Sequence, residues 1–449
     1  MNRPDLTIGD MLRACGGLWQ GEEALLPRCP VNVVTDSRNV VEGSLFIALR
    51  GERTDGHKYI PDVLKKGALA VLCSEEAPGE PRLVVGDVMD AMRKIGDYSR
   101  RRFDIPFIGV TGSVGKTTAK EMIAAVLSAG FETYKTPGSL NGQIGLPVTL
   151  MSLPKGYGAA VIEMGVSMPG EMERLTQLVH PGYAVFTNIG DAHLEFFRDR
   201  PGVLREKSKI VLGMPDDGVV FANGDDPLLS GCDFGKRRVL FGLGANCDVR
   251  AENVVCTDSA ELECRIVTAD RAFDVHVPAY GSYMVYSVLA AAAVGMELGM
   301  SDAQIARGLS KYATVGHRSR VIRTSYCTLI DDCYNANPTS NRAAIDSMLQ
   351  LEGRKVCILG DMREMGEQSA KLHFELGRYA VERGVELVIT HGEEAAHITE
   401  GAGEIGVHYP DRGELLRAIP SLIRPGDVVL VKASHGPNFE DVVSAVEAL

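Results

Sequence analysis

Lys116 and the two threonines behind it close the run Thr111-Gly112-Ser113-Val114-Gly115-Lys116-Thr117-Thr118, and these residue types in this order can hold a phosphate chain. Glycines let successive backbone N–H groups converge on an anion, and a helix that begins there adds its dipole. The lysine brings a mobile positive charge, and the hydroxyl after it can ligate Mg²⁺. Five residues separate Gly109 from Gly115, so the spacing is not the four-residue one of a Walker A loop. Ile105 to Val110 reads as a buried strand, and from Thr117 onward apolar residues recur at helical spacing. A strand–turn–helix that binds a nucleoside triphosphate is expected, with Gly112, Ser113, Gly115, Lys116, Thr117 and Thr118 around the phosphates.

Two further residues suit the same chemistry. Glu163 ends the apolar run Ala159 to Glu163, and His193 follows the strand-like Tyr183 to Asn188. Ligands of open parallel sheets bind beyond the C-terminal strand ends, so both are expected on one rim with Lys116 and Thr117. A carboxylate, a hydroxyl and an imidazole fit a cation that bridges phosphates, His being the less usual Mg²⁺ ligand. The competing reading makes Glu163 a helix cap and His193 a satisfied core histidine. Lys135 to Gly145 is a long glycine- and asparagine-rich loop, more than a connector. Asp36-Ser37-Arg38 could hold a polar ligand at a strand end or be an ordinary Asp-Ser turn.

The elements that must position these residues form three blocks, 1–102, 103–315 and 316–449. A chain of 449 residues exceeds the roughly 250–300 that one core supports. In the first block short strands (Val31 to Ser37, Leu45 to Arg50, Ala70 to Cys73) alternate with helices at Leu6 to Gly16 and Ile60 to Lys66. The second carries the phosphate loop, a β-rich patch from Asp248 to Val277, an alanine-rich helix from Val285 and a linker at Tyr312 to Gly316. The third restarts the α/β rhythm with Thr328 to Asp332, Lys355 to Asp361, Glu386 to Gly392 and Asp427 to Ser434, a Rossmann-like open sheet without a Gly-x-Gly-x-x-Gly turn. The expected fold class is α/β in three domains. A net charge of −12 argues against nucleic acid or an anionic membrane as main partner. The apolar Val285 to Met300 is interrupted by Glu297 and too short to span a bilayer, and the N-terminus lacks a signal-peptide core. Ten scattered cysteines without a Cys-x-x-Cys pair read as buried thiols. A cytoplasmic protein is expected.

Together these segments resemble the Mur ligases, the ATP-dependent amide ligases of peptidoglycan precursor synthesis, along the whole chain. In the first block Thr35-Asp-Ser-Arg38, Gly43-Ser-Leu-Phe-Ile-Ala-Leu49 and Gly51-Glu-Arg-Thr-Asp-Gly-His57 are similar to the family's UDP-substrate domain. In the second, the phosphate loop, Leu140-Asn141, Ile144-Gly-Leu-Pro147, Glu163-Met-Gly165 and Asn188-Ile-Gly-Asp-Ala-His193-Leu-Glu195 resemble its central mononucleotide-binding domain. In the third, Asp331-Asp-Cys-Tyr-Asn-Ala-Asn-Pro338, Gly360-Asp-Met-Arg-Glu-Met-Gly366 and Lys432-Ala-Ser434 resemble its C-terminal domain. The resemblance is greatest to the branch that adds D-alanyl-D-alanine to a UDP-N-acetylmuramoyl tripeptide through an acyl phosphate. It implies ATP, two Mg²⁺ ions and a monomer. Lys116 would stabilise the γ-phosphate, Thr117 and Glu163 would hold one Mg²⁺, and His193 the second. Lys207 aligns with a lysine that the family carbamylates into an anionic oxygen ligand, and Lys209 competes for the role; a solvated helix lysine is the plain alternative for either. Arg318 and Asp332 would meet the nucleotide, and Ser37, Arg38, Asn141, Asn335, Asn337, Lys432 and Ser434 the other substrates.

The chain departs from the family pattern in places. Tyr283, Met284 and Ser287 stand where the family usually places a histidine and two asparagines against adenine. His435 replaces an arginine, Gly142 an asparagine, and Ser167-Met168-Pro169 a segment that often holds a histidine. These changes leave two other readings open: a ligase of the same class with a different amine or acyl partner, and a degenerate nucleotide-binding scaffold.

Overall fold

The computed structural model describes residues 4–51, 54–74, 79–257, 260–434 and 439–449. Among them the strands pair into three sheets, in five-, nine- and six-stranded orders, and each is packed by helices, the α/β architecture expected. Glu52 and Arg53 of the Gly51–His57 motif, and His435, lie outside the described residues.

In the first sheet Val33–Val34, Leu45–Ile47, Ala70–Cys73 and Arg82–Val84 run parallel, and Leu18–Gln20 closes one edge antiparallel. The strand expected over Val31 to Ser37 is shorter because Asp36 caps a tight turn, its carboxylate accepting from the Arg38 amide at 2.9 Å. A local Asx bond of this kind competes with the sheet ladder.

The nine-stranded sheet explains the position of the chemistry. Phe107–Thr111 lies third from one edge, between Ala159–Glu163 and Tyr183–Phe186, all parallel. These strands are buried on both faces and correspondingly apolar, as parallel strands covered by helices must be. Register pairs Val110 with Glu163 and Thr111 with Phe186, so the Glu163 strand end stands beside the start of the phosphate loop. The strand expected to reach Asn188 stops at Phe186, because Thr187 and Asn188 turn to bond that loop. Further out, Val249–Cys256, Leu262–Val267 and Ala272–Val277 form the β-rich patch, paired antiparallel.

The helix Lys116–Leu127 is covered by the alanine-rich Val285–Glu297 and by Asp302–Leu309. Small residues set how closely they approach. A Cβ at Gly308 would lie 2.4 Å from Val126 Cα, and one at Gly295 would meet the Val126 side chain at 2.9 Å.

In the third sheet Thr328–Asp331, Val428–Lys432, Lys355–Gly360, Leu387–His391 and Gly406–His408 are parallel, with Arg320–Arg323 antiparallel at one edge. Asp331 pairs with Val431, which brings Asp332 next to Lys432. All ten cysteines are free thiols. Among the described residues no helix is long and apolar enough to cross a membrane.

Candidate active site

The phosphate loop is shaped from behind by the segment that follows the neighbouring strand. Asn188 accepts from the Ser113 amide through its carbonyl and from the Val114 amide through Oδ1, both at 2.9 Å. Thr187 Oγ1 donates to the Val114 carbonyl, and the Ser113 hydroxyl receives the Gly190 amide at 2.9 Å. Gly112 takes φ +143°, and a Cβ there would lie 2.0 Å from Thr187 Oγ1, so this position needs glycine for its backbone and for its space. Gly115 caps the helix Lys116–Leu127 at φ +80° and offers the first turn no side-chain acceptor. The leading N–H groups of that helix therefore face the cavity ready for an anion. Lys116 folds back, donating to the carbonyls of Gly112 at 2.9 Å and Ser113 at 3.3 Å. Burial holds its ammonium below the usual lysine range, while Glu163 pulls the other way.

Glu163, 1% exposed, receives Thr117 Oγ1 on Oε2 at 2.9 Å and Asn141 Nδ2 on Oε1 at 2.6 Å. Its own amide donates to Thr136 Oγ1 at 3.0 Å. Glu163 is thus no helix cap. It is a carboxylate aimed at a hydroxyl over a phosphate loop, and that pair of hard oxygen donors fits a divalent cation. Behind it stands Lys120, one turn along the helix from Lys116 and 0% exposed. Its Nζ donates to the carbonyls of Thr136 and Gly138, both at 2.9 Å, and lies 3.1 Å from Glu121 and 3.6 Å from Glu163. Sequence reasoning missed it, because its partners are carbonyls of a loop.

Ser113 to Thr118, Asn141 and Glu163 line one cavity of about 500 Å³ together with residues of the third sheet, and Lys120 stands behind that lining. Arg318 stacks its guanidinium 3.7 Å from the centre of the Tyr334 ring. Asp332 Oδ2 receives Lys432 Nζ at 2.6 Å, and its Oδ1 the Ser319 amide at 3.0 Å. Lys432 also donates to the Asn335 carbonyl at 2.9 Å. Asn337 caps the helix Pro338–Met348 through the Ser340 amide while still lining the cavity. Tyr283, Met284 and Ser287 form another wall, and the Tyr283 hydroxyl bonds Ser319. Tyr334 hydroxyl donates to Ser139, tying the third sheet to the glycine-rich loop.

The structure thus gathers Ser113, Gly115, Lys116, Thr117, Thr118, Asn141, Glu163, Arg318, Asp332, Asn335, Asn337 and Lys432 around one space, with Gly112 supplying the carbonyl that Lys116 holds. Other named residues stand apart from its lining. His193, at φ +55°, pairs its Nδ1 with Glu364 of the third block and sets its ring edge-on to Phe197. Ser434 is 3% exposed and ties Arg363 to Ala336. In the first block the Arg38 guanidinium pairs with Asp36, holding that carboxyl at about 2, and the Ser37 carbonyl accepts from Lys66.

Lys207 and Lys209 separate sharply. Lys209 is 35% exposed and bonded to Glu206 at 2.9 Å. Lys207, on the helix Arg200–Ser208, is 0% exposed, and among the described residues its Nζ has no hydrogen-bond partner. Burial, then the positive charge of Lys116, push its ammonium well below the usual range. A buried, unpartnered amine is an expensive thing to keep, and it suits an amine that becomes something else.

Three family domains match in sequence: Mur ligase family, catalytic domain, over 31–102; Mur ligase middle domain over 110–295; and Mur ligase, glutamate ligase domain, over 317–435. The Bacillus subtilis protein named UDP-N-acetylmuramoyl-tripeptide–D-alanyl-D-alanine ligase is 35% identical over 423 residues, 92% of each chain. The Escherichia coli protein of that name is 34% identical over 450 residues, 98% of each. A crystal structure of MurF from Acinetobacter baumannii superposes over 100% of both chains with a TM-score of 0.91 at 30% identity. MurF ligase from Thermotoga maritima, crystallised with ADP, gives 0.83 at 28% identity over 93% of this chain and 97% of that one. Identity at this level from end to end, over a cavity built as described, establishes that the chain belongs to the Mur ligase family.

Proposed function

We propose that this protein is an ATP-dependent amide ligase that joins D-alanyl-D-alanine to a UDP-N-acetylmuramoyl tripeptide, a step of peptidoglycan precursor synthesis. The observation that carries the reading is the Thr117–Glu163 pair set over a lysine-bearing phosphate loop, in a chain similar throughout to ligases of that name. The 1–102 segment would take the UDP moiety, 103–315 the triphosphate and 316–449 the amine, in a cytoplasmic monomer.

The chemistry has two stages. An oxygen of the tripeptide carboxylate attacks the γ-phosphorus, the bond to the β-phosphate oxygen breaks, and ADP and an acyl phosphate form. The amine of the dipeptide then attacks the acyl carbon, and the tetrahedral adduct expels inorganic phosphate as the amine loses a proton. Charge neutralisation and positioning do most of this work. Lys116 exchanges its bonds to Gly112 and Ser113 for the γ-phosphate, so its positive charge meets the charge that is transferred. The open N–H groups after Gly115 hold the phosphate chain. Thr117 and Glu163 would hold one Mg²⁺, and His193 with a carbamylated Lys207 a second; the ions would neutralise phosphate and carboxylate oxygens. Lys207 fits because a buried amine in its neutral form adds CO₂ and releases a proton, and the resulting carbamate would offer hard anionic oxygens where the amine has none. His193 would first release Glu364.

Phosphate release measured over a panel of UDP-muramoyl peptides and amines tests the proposal. Release that requires the tripeptide and D-alanyl-D-alanine together is the expected result. Turnover with a different amine or acyl partner only would move the chain to another member of the class.

A further inference from the structure

We propose that Lys120 is a resident counter-charge that makes divalent-cation binding at Glu163 contingent on nucleotide. The inference rests on the reading of Glu163 as a cation ligand. Three buried charges and one exposed one alternate in sign behind the phosphate loop: Glu163, Lys120, Glu121 and Lys135, with side-chain exposures of 2%, 0%, 8% and 47%. The Lys120 ammonium donates to two carbonyls at 2.9 Å and forms an ion pair with Glu121 at 3.1 Å. It stands 3.6 Å from the same Glu163 oxygen that Thr117 meets. Glu163 therefore keeps its charge balanced with no metal present, which a nearly inaccessible carboxylate requires.

A cation arriving at that oxygen meets the positive charge of Lys120 at short range, inside the protein, where the repulsion is little screened. Alone, it gains one carboxylate already neutralised by a neighbour. Arriving with a nucleotide, it brings or finds phosphate charges that outweigh the ammonium. Lys120 cannot retreat, since its donors are fixed by the strand end and loop at Thr136 and Gly138. The same anchoring steadies the loop that presents Ser139 and Asn141, so Lys120 is a positioning residue as well as a charge.

Mn²⁺ binding to the full-length protein, followed by electron paramagnetic resonance with and without ADP, tests this. Lys120→Gln keeps N–H donors for the two carbonyls and removes the charge. It is expected to tighten nucleotide-free Mn²⁺ binding by about tenfold or more, while binding with ADP changes much less. A damaged fold would weaken binding, not tighten it, so the sign separates the charge from a structural role. Should Lys120→Gln not fold, Lys120→Met removes the same charge at similar side-chain length and is likewise expected to tighten nucleotide-free binding. Unchanged nucleotide-free affinity in the folded variant overturns the proposal. Glu163→Gln distinguishes the two levels: if it binds Mn²⁺ and ADP as the parent does, the cation reading of Glu163 falls. If it weakens that binding while Lys120→Gln leaves nucleotide-free binding unchanged, only the role of Lys120 falls.

Discussion

Lys207 shows what a single side chain can say. An amine with no exposure and no hydrogen-bond partner among the described residues works against the fold, so Lys207→Met should stabilise the uncarbamylated protein by about 1–3 kcal/mol, read from denaturant midpoints, while phosphate release is lost. The pH dependence follows from its lowered pKa. Between the native value and the ordinary value of about 10.4, the unfolded chain binds a proton that the native one does not. Stability from this group therefore rises with pH across that window, and Lys207→Met should flatten the rise. Lys207→Ala should regain part of its activity with small carboxylic acids, which supply the missing oxygens; no rescue, and an unmodified lysine by mass spectrometry, would count against a carbamate. Lys116→Ala should abolish phosphate release with an unchanged circular dichroism spectrum, because its partners Gly112 and Ser113 lose only bonds that nucleotide would break anyway. The sequence left Lys207 and Lys209 in competition, since two lysines two positions apart differ only in which side of a helix they occupy. Packing alone separates their surroundings, enclosing Lys207 and leaving Lys209 partly exposed.

At the scale of elements, the phosphate loop was legible because strand, turn and helix each carry local signals: apolar runs, glycines and helical spacing. So was Glu163, whose strand ends at the residue the pattern gave. What was not legible depends on segments remote in sequence. Asn188 and Thr187 fold back to brace the loop, and the left-handed turn at His193 sends its ring toward Glu364 and not into the cavity. Lys120 was overlooked for a different reason: its partners are carbonyls of a loop, and loops carry no periodicity. The two loop glycines make the bracing measurable. Gly112→Ala must displace Thr187 and adopt a strained φ, so a loss of about 2 kcal/mol or more is expected, with nucleotide affinity falling alongside. Gly115→Ala meets nothing within 4 Å among the described residues and should cost only about 1–2 kcal/mol of backbone strain. Equal losses at both positions, measured by urea unfolding, would mean that the Thr187 brace is not what holds the loop.

Across the whole molecule, the cavity exists because the third sheet is docked on the second. Tyr280 hydroxyl donates to the Ser347 carbonyl at 2.6 Å, Tyr283 meets Ser319, Tyr334 meets Ser139, and the Glu195 amide reaches the Glu364 carbonyl at 3.4 Å. The seam also sets His193 against the Glu364 carboxylate, both residues at positive φ, 55° and 61°. The His193 hydrogen bond holds the Glu364 carboxyl below its usual range. A carboxylate with a depressed native pKa favours the docked form above its ordinary pKa of about 4.3 and loses that preference as pH falls through the native value. Because His193 would have to leave Glu364 to serve a cation, the pair holds the seam shut at the expense of the ligand. Glu364→Ala should therefore loosen docking and free His193 together. Small-angle X-ray scattering at neutral pH should show a larger radius of gyration for Glu364→Ala than for the parent, with circular dichroism unchanged. The parent brought below about pH 4 should expand in the same direction, and Glu364→Ala should respond less. If variant and parent scatter alike at both pH values, the tyrosine contacts carry the docking and the His193–Glu364 pair is only a resting place for the imidazole.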